Sequence, residues 1–300
     1  MTAKEIPTCT LVAQWDIGAT LGECVTWDDR LLRFYWTDIE ESCLYILEWG
    51  AAEPTRHDLP HRLASFGLTR NPNILLAAFD YGLAWLSLTT FEQVPILKIE
   101  ANRPDMRLND GRMDRQGRFW FGTMSNEVQP DTIGEGRLYC YDGIQGPIVH
   151  RHKLLIPNSL AWSADGRSMY FADSKTFQID IYDFDSENGQ PKNARQFAKV
   201  PAGYHADGSC IDANGYLWNA QWGGSRVIRY SPDGAEAFCL NLPTYEPTCV
   251  GLGGPDLDHL CVATANLDPT SNGTGAVYLY KTTVKGLREP RFSKMPPMIV

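Results

Sequence analysis

Glu23, Asn109, Asn158 and Asp207 each stand a few residues ahead of a turn, in four separate parts of the 300-residue chain. To a metal these side chains offer only oxygen, partly anionic and partly neutral, a set suited to hard divalent cations such as Ca²⁺, Mg²⁺ or Mn²⁺. The same ligand type also admits Zn²⁺ or Fe²⁺. Three or four protein ligands would leave coordination positions for water or substrate, which marks a catalytic rather than a structural metal. The expected cofactor is therefore one divalent cation. A plainer reading exists for two of the four. Asn158 and Asp207 precede Ser159 and Gly208 and suit Asx-turns that bond their own backbone. Glu23, between Gly22 and Cys24 in an apolar setting, is different, because a carboxylate near a core must be paired or neutralised.

Other chemistries find no support. There is no Gly-x-Ser-x-Gly segment, and the six histidines fall mostly in turn-like sequence, so a Ser-His-Asp arrangement is not expected. No glycine-rich loop follows a strand and opens a helix, which sets nucleotide-dependent chemistry aside. The eight cysteines are dispersed without a Cys-x-x-Cys pair and read as buried free thiols.

The elements that would bring the four residues together are repeats. Asp114-Arg-Gln-Gly117-Arg-Phe-Trp-Phe, Ser163-Ala-Asp-Gly166-Arg-Ser-Met-Tyr-Phe and Asp212-Ala-Asn-Gly215-Tyr-Leu-Trp share one layout, and their glycines are 49 residues apart, twice. Weaker copies at Trp27–Asp38, Thr69–Asp80 and Gly254–Thr264 bring the count to six. Each aromatic strand is followed about ten residues on by a second strand, as in Gly136-Arg-Leu-Tyr-Cys-Tyr and Gln178-Ile-Asp-Ile-Tyr, the spacing of an antiparallel hairpin. No segment keeps helical apolar spacing over three turns. The expectation is an all-β, six-bladed β-propeller occupying residues 1–300 as a single domain. Thr10–Trp15 is expected to pair with the strand at Ala276–Lys281 and close the last blade, so hiding two edges. The site residues are placed just ahead of each inner strand, in loops that reach the axis.

Composition agrees with such a fold. With 43% hydrophobic and 21% charged residues, 26 Gly, 19 Pro, 9 Trp, 13 Tyr and 12 Phe, the chain fits many short strands joined by turns. A net charge of −9 with scattered Lys and Arg leaves no footprint for nucleic acid or an anionic membrane surface. The segment Met1–Pro7 lacks the apolar core of a signal peptide and no apolar run approaches a membrane span, so a cytoplasmic protein is expected.

Four motifs in order, Leu-Gly-Glu23, Arg107-Leu-Asn109-Asp-Gly with Gly-Arg-Phe-Trp-Phe-Gly-Thr-Met, Ile-Pro-Asn158-Ser-Leu-Ala-Trp-Ser, and Asp207-Gly-Ser-Cys-Ile-Asp-Ala-Asn-Gly-Tyr-Leu-Trp, resemble the senescence marker protein/gluconolactonase family, also called the regucalcin family. The resemblance runs from about Leu21 to Gly254. It implies a six-bladed propeller that hydrolyses sugar aldonolactones with one divalent metal, held by Glu23, Asn158 and Asp207. It further implies substrate contacts from Arg107, Asn109 and Glu127, although Ser125-Asn-Glu-Val-Gln-Pro departs from the family's acidic pattern. Tyr204-His205 also departs from it and leaves His205 as a further substrate contact. Asp207 is the candidate base, a metal-bound hydroxide being the alternative. Without that context Arg107, in Arg103-Pro-Asp-Met-Arg107, reads as a surface cation. The segment Asn126–Gly136 suits either a lid or a plain solvent loop. The expected partner is a small-molecule sugar lactone, with neither nucleic acid nor membrane, for a monomer or weak dimer. Two other functions fit the same propeller: an organophosphate or aryl-ester hydrolase, and a non-catalytic metal-binding protein.

Overall fold

A computed structural model describes residues 6–128, 132–267, 270 and 273–297. Six four-stranded antiparallel sheets follow one another along the chain. Five are consecutive meanders, opening with the strands Gly22–Asp28, Leu63–Leu68, Met106–Met113, Pro157–Trp162 and His205–Ile211; they are blades 1 to 5. Blade 6 opens with Pro247–Gly253 and takes its outermost strand, Cys9–Trp15, from the other end of the chain. That strand pairs with Val277–Thr282, Thr10 opposite Lys281 and Trp15 opposite Val277, as the exposed edges of the sequence require. The opening strands contact one another around the ring and line its centre. The fold is a six-bladed β-propeller.

The apolar residues explain why the sheets stand face to face. Among the described residues they form six buried clusters, each between adjacent blades. The cluster that closes the ring joins Val25, Trp27 and Phe34 of blade 1 to Cys249, Cys261 and Val277 of blade 6. Burial of this apolar area is the main stabilising term. Cys24, Cys43, Cys140, Cys210, Cys249 and Cys261 are buried, Cys9 is partly buried and Cys239 exposed, and all eight are free thiols.

The 49-residue period marks a turn built three times. Gly117, Gly166 and Gly215 have φ of +80°, +68° and +80°, and their N–H groups donate to Asp114 O, Ser163 O and Asp212 O. Glycine reaches this backbone region without Cβ strain. In two copies the turn carboxylate also accepts from the following tryptophan, Trp120 Nε1 to Asp114 at 3.1 Å and Trp218 Nε1 to Asp212 at 3.0 Å. The aromatic segments are the second strand of each blade, and the motif segments ahead of the turns are themselves the innermost strands. This differs from the expected loops. Their Gly, Asn and Asp content hides the strand, because each innermost strand is bulged where its polar residues lie.

Among the described residues the one helical element is the 3₁₀ turn Ser174–Thr176, and no helix is long and apolar enough to cross a membrane. Residues 129–131 of the Asn126–Gly136 segment, and residues 268, 269, 271 and 272, lie outside the described residues.

Candidate active site

At the centre of the ring a cavity of about 190 Å³ is lined by Glu23, Arg107, Asn109, Asn158, His205 and Asp207, together with Ser174, Lys175 and an apolar set that includes Met124, Ile156, Trp222 and Leu267. The volume falls below the ~300–1,000 Å³ of pockets for drug-sized ligands and suits a single sugar ring. Residues from blades 1, 3, 4 and 5 meet here although they are far apart in sequence.

The bulges present these side chains. Cys24 and Ser159, immediately after Glu23 and Asn158, hold φ of +57° and +63°, a region that costs a non-glycine residue on the order of 1–3 kcal/mol. Neighbouring blades compensate. Phe66 N donates to Cys24 Sγ at 3.2 Å, and Ser159 Oγ donates to Asp207 O at 2.7 Å. Asn219 Nδ2 also donates to Asp207 O, at 2.8 Å, so the backbone of Asp207 is fixed from two sides.

Glu23 and Asp207 are each 8% exposed, and their carboxyl groups are close enough to shift one another's pKa. Burial, and then the nearby Asp110 charge, push Glu23 up to about 8. Burial followed by the Glu23 charge holds Asp207 well above the usual carboxylate range. Two like charges in one dry site cannot both ionise cheaply, so without a cation the pair retains a proton near neutrality. Asp207 Oδ1 is buried and has no hydrogen-bond partner.

Asn158, 4% exposed, is oriented by a one-way chain of hydrogen bonds. Arg107 Nη1 donates to Asn109 Oδ1 at 2.7 Å, and Asn109 Nδ2 to Asn158 Oδ1 at 2.9 Å. Asn158 Nδ2 then donates to Ser174 Oγ at 2.9 Å, and Ser174 Oγ to Ala206 O at 2.7 Å. Arginine can only donate, which dictates every amide orientation after it. Asn158 is therefore no Asx-turn, and its Oδ1 keeps a second lone pair. Arg107, 8% exposed, is not a surface cation: its Nη1 also donates to Leu108 O at 2.9 Å, while Nε and Nη2 have no acceptor among the described residues.

His205 Nδ1 lies 3.1 Å from Ser174 O. Because a carbonyl only accepts, Nδ1 carries the proton and Nε2 is left as an acceptor. The ring stacks on Phe177 at 5.3 Å and leans on Trp222 at 5.5 Å, and burial lowers its pKa, favouring the neutral form. Glu127 stands apart, exposed in the segment after the Phe119–Ser125 strand and outside the residues lining the cavity. Sequence reasoning missed Ser174, Lys175 and Trp222. They end or follow second strands of their blades, and only the repeat position of those strand ends could have drawn attention to them.

Among the described residues no three His, Cys, Asp or Glu side chains cluster to hold a metal; the set here is two carboxylates and an amide oxygen. It fits a hard divalent cation. A partnerless buried Asp207 Oδ1, two mutually repelling carboxyls and a pre-aimed Asn158 Oδ1 are what such an ion would satisfy.

Known proteins are similar to this chain over nearly its whole length. An L-arabinolactonase of Azospirillum brasilense is 36% identical over 293 residues, covering 96% of each chain. A 6-deoxy-6-sulfogluconolactonase of Pseudomonas putida is 32% identical over 284 residues, covering 92% of this chain and 96% of the other. The crystal structure of a calcium-binding protein, regucalcin, from Agrobacterium tumefaciens superposes with a TM-score of 0.86 at 29% identity, covering 94% of this chain and 98% of that one. Residues 21–266 match the SMP-30/Gluconolactonase/LRE-like region, and with those relatives this shows that the chain belongs to the SMP-30/gluconolactonase/LRE-like family.

Proposed function

We propose that the protein hydrolyses a sugar aldonolactone to the aldonic acid, with one divalent cation held by Glu23, Asn158 and Asp207. The observation that carries this reading is the partnerless Asp207 Oδ1, set against a second buried carboxyl on the floor of a cavity sized for one sugar ring. The L-arabinolactonase and the 6-deoxy-6-sulfogluconolactonase, each more than 30% identical over most of the chain, are both named as lactonases, one for a pentose and one for a sulfonated hexose lactone.

When bound, the cation supplies Lewis-acid polarisation of the lactone carbonyl and offsets the charge that develops on its oxygen. The protein's own groups do the rest. Asp207 takes a proton from the water that adds to the carbonyl carbon. As the ring C–O bond breaks, a proton passes to the departing ring oxygen, leaving a hydroxyl and a carboxylic acid that ionises in water. Arg107, through its free Nε and Nη2 donors, and His205, through its Nε2 acceptor, pair with polar substituents of the lactone. A lactone lacking those substituents would leave buried polar groups unpaired and bind worse. Met124, Ile156, Trp222 and Leu267 exclude water around the ring.

A panel of pentono- and hexonolactones, assayed by acid release with chelated protein reloaded with Ca²⁺, Mg²⁺, Mn²⁺, Zn²⁺ or Fe²⁺, tests the reading. Turnover above the spontaneous rate that requires a cation and is lost in Asp207→Asn is expected. A protein inert towards every aldonolactone but active on phosphotriesters or aryl esters would overturn it.

A further inference from the structure

The cavity is electrically divided in a way that hydrolysis of a neutral lactone does not require. Its acids, Glu23 and Asp207, come from blades 1 and 5; its cations, Arg107 and Lys175, come from the adjacent blades 3 and 4. A divalent cation held as proposed above would offset the two acids. Glu23 and Asp207 favour the charged form of Arg107 at a distance, but among the described residues neither Arg107 nor Lys175 has a carboxylate within ion-pair distance, whereas Arg103, Arg112, Arg118 and Arg229 all do.

The other charges near Arg107 cancel. Glu40, which favours its charged form, is itself paired with Arg62 at 3.5 Å. Arg112, on the same strand as Arg107, pairs with Glu289 at 2.6 Å. Lys175 stands exposed on the 3₁₀ turn beside Ser174, close enough for its charge to act on His205. A chain of net charge −9 thus presents a positive wall at its central cavity, where low-dielectric surroundings focus the field on an incoming ligand. Arg107 adds geometry, since its unused Nε and Nη2 N–H groups form a planar fork matched to a carboxylate or sulfonate.

We infer that the cavity takes a lactone carrying a second, anionic group on the carbon chain remote from its carbonyl, with Lys175 and the free edge of Arg107 receiving that group. This rests on the lactonase reading above. The carbonyl lies over Glu23, Asn158 and Asp207, and the charged substituent turns towards blades 3 and 4. Carboxylate and sulfonate share the required chemistry, a resonance-delocalised anion with several oxygen acceptors.

The test compares, on cation-loaded protein, a neutral aldonolactone with the lactone of a dicarboxylic sugar acid and with a sulfonated lactone, all of six carbons. Expected is a higher kcat/KM for at least one anionic lactone, with the advantage shrinking as salt rises. Lys175→Gln should lower the anionic-to-neutral ratio of kcat/KM about fivefold, the effect of one partly exposed ion pair, and Lys175→Glu should lower it further. Which lactone responds identifies the group as carboxylate or sulfonate. If the neutral lactone is turned over but both anionic lactones are equal or worse, or the ratio ignores Lys175→Gln, the inference is overturned and the lactonase reading stands. If no lactone is hydrolysed the lactonase reading falls, and calorimetric binding then decides: a six-carbon sugar dicarboxylate must bind more tightly than the monocarboxylate and lose that margin in Lys175→Gln, and equal affinities overturn the inference.

Discussion

Asn109 and Asn158, from the innermost strands of neighbouring blades, are joined by a hydrogen bond of 2.9 Å from Nδ2 to Oδ1. The donor that fixes its direction is Arg107, which occupies Asn109 Oδ1 at 2.7 Å. On the function proposed above, a side chain that would face the sugar thereby sets the orientation of one that would hold the cation. Aligned bonds of this kind strengthen one another in a low-dielectric site.

Breaking that link should weaken cation binding without removing a ligand. Asn109→Ala is expected to reduce affinity for the activating cation about 10-fold or more, the usual effect of losing a group that orients a ligand. Calorimetry on folded protein reads it directly; unchanged affinity would show that Asn158 is oriented without Asn109.

Cation binding should release protons. Glu23 is raised from 4.5 to about 8 and Asp207 is raised with it, so near pH 7 the metal-free pair holds a proton that a bound cation displaces. Calorimetry in buffers of differing ionisation heat should show about one proton released at pH 7, and affinity rising up to about pH 8. The same shift affects stability. Between 4.5 and about 8 the folded state binds more protons than the unfolded chain, so metal-free protein loses stability as pH rises through this window. Glu23→Gln should flatten that slope. A metal-free Tm that rises over the window would contradict it.

His150 should act in the opposite direction. Burial, and then the Arg118 charge, lower its pKa from 6.5 to about 4, and its ring packs 4.5 Å from Trp120. Between these values the unfolded chain binds the extra proton, so stability is lost as pH falls from about 6.5 towards 4. Thermal melts at pH 4.5 and 7 should differ less in His150→Phe than in the native protein.

Asp212 anchors the third repeat of the turn and is fully buried. It accepts from Asn214 N, Tyr216 N and Trp218 Nε1, and from Arg229 Nε at 2.8 Å. Asp212→Ala would strand the Arg229 guanidinium, which is 2% exposed, and should cost about 3–5 kcal/mol. Urea denaturation measures this; a loss near 1 kcal/mol would mean that water reaches Arg229.

The sequence by itself determined the repeat, and through it the fold. Glycines at 117, 166 and 215 report a turn that needs positive φ, aromatic runs report strands, and an unpaired strand at each end of the chain reports closure of a ring. These signals are local, set by the backbone and side-chain preferences of a few adjacent residues. Glu23, Asn109, Asn158 and Asp207 were also legible as polar residues at repeat positions, and Arg107 and His205 through the family resemblance. Their strand placement was not, because a left-handed Cys24 or Ser159 breaks the alternation by which a strand is recognised. Tertiary structure alone decided what these residues do to one another. The mutual influence of Glu23 and Asp207, the chain from Arg107 to Ser174 and the unpaired charge of Lys175 arise only when ring closure brings residues of different blades within hydrogen-bonding or Coulombic reach. Such interactions depend on distance and burial in three dimensions, neither of which spacing along the chain records.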